Sequence, residues 1–227
     1  MGQESIDELA LADWRRRVAA IYADVRRILP VDPDAALATW RLGRERLYRE
    51  HLQSPVPAAA RAGFRALHFP ADPALRFEVI VEADAPDSAR APAAGESGPF
   101  SRFAAPLLQL PVSGGGQMGF RRIGWLDIPF PSGSHRLALF WMEGYAGGLF
   151  LPFRDATNGH ETYGAGRYLL DAAKSADLGG DARRGTLTLD FNFAYQPSCA
   201  FDPRWACPLA PPENWLDIPV RAGERIA

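Results

Sequence analysis

Leu137-Ala138-Leu139-Phe140-Trp141-Met142 is apolar at every position. A strand with one wet face alternates apolar and polar residues, whereas a strand without polar positions is covered on both faces. This run therefore predicts a central strand with protein packed above and below it. Upstream, Phe77-Glu78-Val79-Ile80-Val81-Glu82 alternates with period two about Phe77, Val79 and Val81, as a half-buried strand does. Residues 107–112, the turn Gly114-Gly115-Gly116 and residues 120–128 read as a hairpin. Downstream, residues 149–153, 161–170 and 186–194 continue a meander. The spacings are too short for parallel crossovers, which need a dozen or more residues, so antiparallel pairing is expected.

The N-terminus has a different period. Leu11, Trp14, Val18, Ile21, Tyr22, Val25, Ile28 and Leu29 recur at helical spacing over residues 5–29, behind a Ser5/Glu8 capping box. Pro30 ends that helix. A second begins at Asp32 with Pro33 in its first turn, carries Leu37, Trp40, Leu47, Tyr48 and His51, and ends before Ser54-Pro55. Arg41, Arg44, Arg46 and Arg49 are read as its solvated face. The expected fold is α+β and mainly β: an antiparallel β-sandwich or barrel-like meander with an N-terminal helical segment. Residues 1–55 form the helical segment. Residues 56–227 form the β-rich domain, interrupted at about 84–106 by a loop rich in Pro, Ala and Gly.

The chain is 227 residues long, 47% hydrophobic and 23% charged, with a net charge of −2. That balance gives no reason to expect nucleic acid or an anionic membrane as a partner. No apolar run approaches the ~18 residues of a membrane span. The acidic N-terminus lacks the layout of a signal peptide, so a cytoplasmic location is expected. Gly114, Gly116 and Gly119 match a dinucleotide-binding glycine pattern, but a helix must follow that pattern and Phe120-Arg121-Arg122-Ile123 is strand-like, so a hairpin turn is the better reading. Cys199 and Cys207 are read as structural thiols, a disulfide or redox pair, or part of a zinc site that would need two more ligands. No metal and no cofactor is expected.

Polar residues crowd two stretches between the apolar runs, 154–168 and 190–199. A polar group that enters a core unpaired costs roughly 1–3 kcal/mol, so these groups must pair with one another or face a site. As a strand, residues 161–167 would line Glu161, Tyr163 and Arg167 along one face, with Arg154 and Asp155 brought near by the preceding hairpin. Asp190 and Asn192 are poor strand formers on the polar face of residues 186–194, where Thr186 and Thr188 are read as merely exposed. Glu213 and Asn214 follow Pro211-Pro212 as a rigid rim. The candidate ligand-binding residues are Arg154, Asp155, Glu161, Tyr163, Arg167, Asn192, Tyr195, Glu213 and Asn214.

The same stretches resemble domain-of-unknown-function family 1684, an uncharacterised family. The resemblance rests on Pro152-Phe153-Arg154-Asp155-Ala156-Thr157, on residues 161–169, on Leu189-Asp190-Phe191-Asn192, on Cys199-Ala200-Phe201, and on Cys207-Pro208-Leu209 with Pro211-Pro212-Glu213-Asn214. It extends from about residue 36 to the C-terminus and leaves the first helix outside. It implies a shared core or site and carries no activity. Two readings of the polar residues follow. In one the protein binds a polar or anionic small molecule and could hydrolyse it, with Arg154 and Arg167 as anion contacts. In the other it is a non-catalytic structural or interaction module, whose cluster is an internal network of hydrogen bonds and ion pairs.

Overall fold

The computed structural model describes residues 7–84, 107–144 and 147–226. The expected loop at 84–106 falls outside them but for its first residue, and so does Ser5 of the capping box. The strands are β1 (Leu67–His68), β2 (Arg76–Ala83), β3 (Leu107–Pro111), β4 (Gln117–Phe130), β5 (Gly133–Met142), β6 (Gly148–Phe153), β7 (Arg167–Asp171), β8 (Gly180–Asp181), β9 (Thr186–Asp190) and β10 (Glu224–Arg225). Eight of these described strands form one antiparallel sheet in the order β7-β6-β5-β4-β2-β9-β8, with β3 also paired to β4. The sheet curls into a half-barrel. The mainly-β fold with an N-terminal helical segment is thus the one formed, in its barrel-like version.

The long strand β4 organises the sheet. Its first half pairs with β3 and its second half with β2, while β5 runs along the opposite edge. A register shift between Arg122 and Gly124 bends it where the partner changes. Gly124 is required there, because a Cβ would stand 2.5 Å from the Glu82 carbonyl oxygen. The turn between β3 and β4 carries Gly115 and Gly116 at φ 84° and 89°, so the glycine pattern is a hairpin.

The all-apolar run is covered on both sides, as its composition requires. Leu137 and Leu139 pack with Leu216, Val220 and Ala222 of the C-terminal segment. Ala138 and Phe140 belong to the core that also contains Trp14, Trp40 and Tyr48 of the helices. None of residues 137–140 is more than 1% exposed.

Two helices, α1 (Asp7–Ile28) and α2 (Pro33–Glu50), form an antiparallel hairpin over the second face. Ala10, Trp14, Val18, Tyr22 and Val25 make the buried stripe of α1. Trp14 stacks on Tyr48 at 5.7 Å, and Trp40 Nε1 donates to the Tyr22 hydroxyl at 3.0 Å. Asp32 caps α2 by accepting from the Ala35 amide at 3.0 Å.

Three local expectations need correction. Residues 161–166 are turns, and the strand starts only at Arg167. Thr157 accepts from Glu161 and Thr162, and Gly166 has φ 101°, which an extended strand cannot accommodate. Glu161, Tyr163 and Arg167 therefore do not form one row. The strand expected over 186–194 ends at Asp190, whose carboxylate accepts from the Asn192 amide and turns the chain into a 3₁₀ helix over Phe191–Phe193; Thr186, read as exposed, is buried where it pairs with β8. Arg44, read as solvated, is buried.

Candidate functional site

Asp155 and Arg167 meet at 2.8 Å with both side chains fully buried. Arg167 enters from the first residue of β7 and Asp155 from just beyond β6. The guanidinium also donates to the carbonyl oxygens of Val220 at 2.7 Å, Glu224 at 3.2 Å and Ala222. The second Asp155 oxygen accepts from the Thr157 amide at 2.8 Å, the Thr157 hydroxyl at 2.5 Å and the Val220 amide at 3.2 Å. Burial pulls the Arg167 pKa down and Asp155 opposes the shift. The pair's other bonds go to the chain itself, and only the buried Arg167 Nε lacks a partner, so this is a knot that ties the C-terminal segment to the sheet.

Other expected residues act in the same way. Asn214 accepts from the Ala138 amide at 2.8 Å and donates to the carbonyls of Ala138 at 2.9 Å and Pro152 at 2.7 Å. Its amide imitates a peptide unit where β5 and β6 stop pairing directly. Asn192 accepts from the Asp72 amide at 2.9 Å and donates to the Asp72 carbonyl at 2.8 Å, fixing the entry to β2. Asp190 takes Arg76 Nε at 2.7 Å. Arg44 donates to both oxygens of Glu224, at 2.5 and 3.2 Å, with the Tyr48 and Tyr195 rings each 4.4 Å from its guanidinium carbon. Its place in the stripe was legible, since 44 continues the helical series 37, 40, 47 and 48.

A cavity of about 290 Å³ opens between α1, the second face of the sheet and the 198–208 loop. Trp14, Met118, Phe120, Met142 and Phe150 give it apolar walls. Asp171, Lys174, Tyr168 and Cys207 supply polar atoms. Asp171 is the last residue of β7. Its Oδ1 accepts from the Ala173 amide at 3.0 Å, and its Oδ2 takes the Tyr195 hydroxyl at 2.9 Å and Lys174 Nζ at 3.4 Å. Lys174 also lies over the Tyr168 and Tyr195 rings, at 5.6 and 5.3 Å. Burial raises the pKa of both tyrosines, which keeps their hydroxyls protonated. Tyr195 is thus the one expected residue that supports this cavity. Asp171 and Lys174 were missed, although opposite charges three residues apart directly after Tyr168-Leu169-Leu170 were a readable signal.

Arg154 and Glu213 fall on another surface. They line a groove of about 440 Å³ with Leu108, Pro211 and Trp215. The Arg154 guanidinium lies 4.5 Å over the Trp215 ring, which is 53% exposed. Glu161 is at the surface, bonded to Arg221 at 2.8–3.0 Å, and this hydrogen bond holds its carboxyl below the ordinary value. Tyr163 is half-buried beside Cys199, and burial pushes it up to about 12. The nine expected residues are therefore spread over a knot, several clamps, a groove and the surface.

Among the described residues, no group of three or more His, Cys, Asp or Glu side chains is placed to hold a metal ion. No described helix is long and apolar enough to cross a membrane.

A family model described as a protein of unknown function, DUF1684, matches residues 63–225. No curated protein matches the chain. An uncharacterised protein of Haloarcula marismortui, solved by solution NMR, is similar over 85% of this chain and 94% of its own, with 29% identity and a TM-score of 0.56. The matched family range leaves out α1 and α2, so one wall of the cavity comes from outside it.

Proposed function

The chain belongs to the DUF1684 family of proteins of unknown function, and we propose that it binds a small amphipathic anion in the cavity beneath α1. Lys174 is the observation that carries this reading. Its ammonium has three donors and, among the described residues, one carboxylate contact, at the polar end of a mainly apolar cavity that Arg15 also borders. An apolar body would lie against Phe120, Phe150 and Met142, with its carboxylate or phosphate on Lys174. Binding is favoured over hydrolysis. Asp171 already takes three donors and so makes a poor general base, and no histidine lines the cavity. In this reading the Asp155–Arg167 cluster is an internal scaffold, and the protein works in the cytoplasm.

Anilinonaphthalene sulfonate, an apolar anion, tests the proposal. Its fluorescence should rise saturably with the full chain and fall when octanoate is added. Lys174→Met should weaken both by tenfold or more while lowering the melting temperature by no more than about 4 °C. Unchanged affinity in that variant would remove the proposal.

A second reading keeps Arg154 and Glu213 as ligand contacts. It rests on the Arg154 guanidinium, which stacks on exposed Trp215 and has no carboxylate partner among the described residues. A planar anion could bond its edge. Chemical-shift changes at the Trp215 indole on adding benzoate, lost in Arg154→Ala, would support it; their absence would leave the cavity alone.

A further inference from the structure

Cys199 and Cys207 face one another across a tight loop on the cavity wall. The Cys199 amide donates to Cys207 Sγ at 3.3 Å, so the loop returns the second sulfur to the backbone of the first cysteine. Both cysteines are free. The loop is held from outside: Ser113 Oγ accepts from the Cys207 amide at 3.0 Å and donates to the Trp205 carbonyl at 3.1 Å. Tyr168 donates its hydroxyl to the Pro208 carbonyl. Cys207 and Ser198 line the cavity, as does Lys174, so a small solute in the cavity meets Cys207 and the residue next to Cys199.

This setting differs from that of two inert core thiols. A buried thiol among apolar groups holds its proton, whereas a reactive one has donors and positive charge around it. Here the first proton leaves readily because the second thiol donates to the sulfur it leaves behind. Cys199 is drawn down to about 6 by the Cys207 thiol, against the effect of burial, with Tyr163 and the charge of Lys174 acting in the same direction. Cys207 is pushed up, because it holds the shared proton and is buried.

We propose that Cys199 and Cys207 are a peroxide-reactive dithiol, with Cys199 as nucleophile and Cys207 as resolving thiol, which a hydroperoxide entering the cavity converts to an intramolecular disulfide. Cys199 first gives its proton to solvent. Its thiolate attacks one peroxide oxygen; an S–O bond forms and the O–O bond breaks. The departing alkoxide or hydroxide takes the proton from Cys207 and leaves as alcohol or water. The Cys207 thiolate then attacks the Cys199 sulfur; the S–S bond forms, the S–O bond breaks, and the hydroxide leaves as water with a proton from solvent. The two sulfurs supply the two electrons that reduce the peroxide. The disulfide would close the 199–207 loop, and with it Trp205 on the cavity wall. The inference is independent of what the cavity binds.

The full chain, treated with a small excess of hydrogen peroxide, tests this by intact mass and peptide mapping. The expected result is loss of two hydrogens, a Cys199–Cys207 linked peptide, and reversal by dithiothreitol. The oxidation rate should level off by about pH 8, where an ordinary thiol is still largely protonated. Cys207→Ser should accumulate a dimedone-reactive sulfenic acid on Cys199. The proposal fails if the wild-type chain keeps two alkylatable thiols under conditions that oxidise free glutathione, or if its disulfide forms only between chains. It fails in its assignment of roles if dimedone marks Cys207 in Cys199→Ser and not Cys199 in Cys207→Ser.

Discussion

The two ends of β7 carry the same kind of chemistry and put it to opposite uses. Arg167 opens the strand and pairs with Asp155; Asp171 closes it and pairs with Lys174. Five residues of strand separate the pairs by only about 13 Å. At the first end, carbonyls of Val220, Ala222 and Glu224 occupy the two terminal nitrogens of the guanidinium, only the buried Nε lacking a partner, and backbone amides occupy the carboxylate. At the second, the ammonium retains free donors and borders a cavity. A buried charge pair is a scaffold when the chain supplies nearly all its bonds and a candidate site when several of its donors stay open beside a cavity. The density of polar residues does not separate the two cases; the count of filled bonds does.

Replacement of Asp155 by Ala should have the largest effect. It strands a fully buried guanidinium, which costs about 3–5 kcal/mol, and urea unfolding would read this as a lower midpoint at unchanged slope. A loss below about 1 kcal/mol would mean that water or a ligand takes over the guanidinium, and would move this end of β7 into the same class as the other. Asn214→Ala comes next. It leaves the Ala138 amide and the Ala138 and Pro152 carbonyls without their side-chain partner, for a loss of about 2–3 kcal/mol in the same measurement.

Lys174→Met should change stability by no more than about 1 kcal/mol, since the pair it breaks is looser and its stem keeps its apolar contacts. If this variant unfolds as readily as Asp155→Ala, the contrast between the two ends is lost. The smallest effect belongs to Glu161→Gln, at the surface. The Arg221 contact holds the Glu161 pKa below its unfolded value. Its contribution is therefore complete above the ordinary carboxylate pKa and disappears as pH falls through the lowered folded value. Melting temperature followed from neutral to acidic pH should fall slightly less steeply in the variant; a steeper fall would contradict the assignment.

The parts of the fold that the sequence made legible are those set by periodicity. The buried stripes of both helices, the doubly covered run at 137–142 and the β3–β4 hairpin follow from spacing alone. The polar segments were located but assigned the wrong local shape. Gly166 and the Thr157 turn break the row expected over 161–167; the turn closes on its own neighbours, Glu161 and Thr162, whereas Gly166 is pressed against the Phe153 carbonyl of the adjacent strand. Asp190 and Asn192 were read as needing specific bonds, and they make them, to Arg76 and Asp72, some 114 and 120 residues away in the chain. No local pattern reports such a distance. The cavity escaped notice for a similar reason: its walls come from α1, β4–β7 and the 198–208 loop, none of which looks unusual by itself.

Asn214 also bears on the order in which the protein can be made. Its side chain completes the gap between β5 and β6, and the residues it serves, Ala138 and Pro152, leave the ribosome 76 and 62 residues earlier. A nascent chain that has not yet released residue 214 carries a sheet with two open carbonyls and an open amide in its middle. The segment around residue 214, which follows every described strand of the sheet in the chain, is thus the one that seals the barrel wall. Any pause in translation before it would present that seam, with Leu137 and Leu139 beside it, to whatever chaperone or neighbouring strand arrives first.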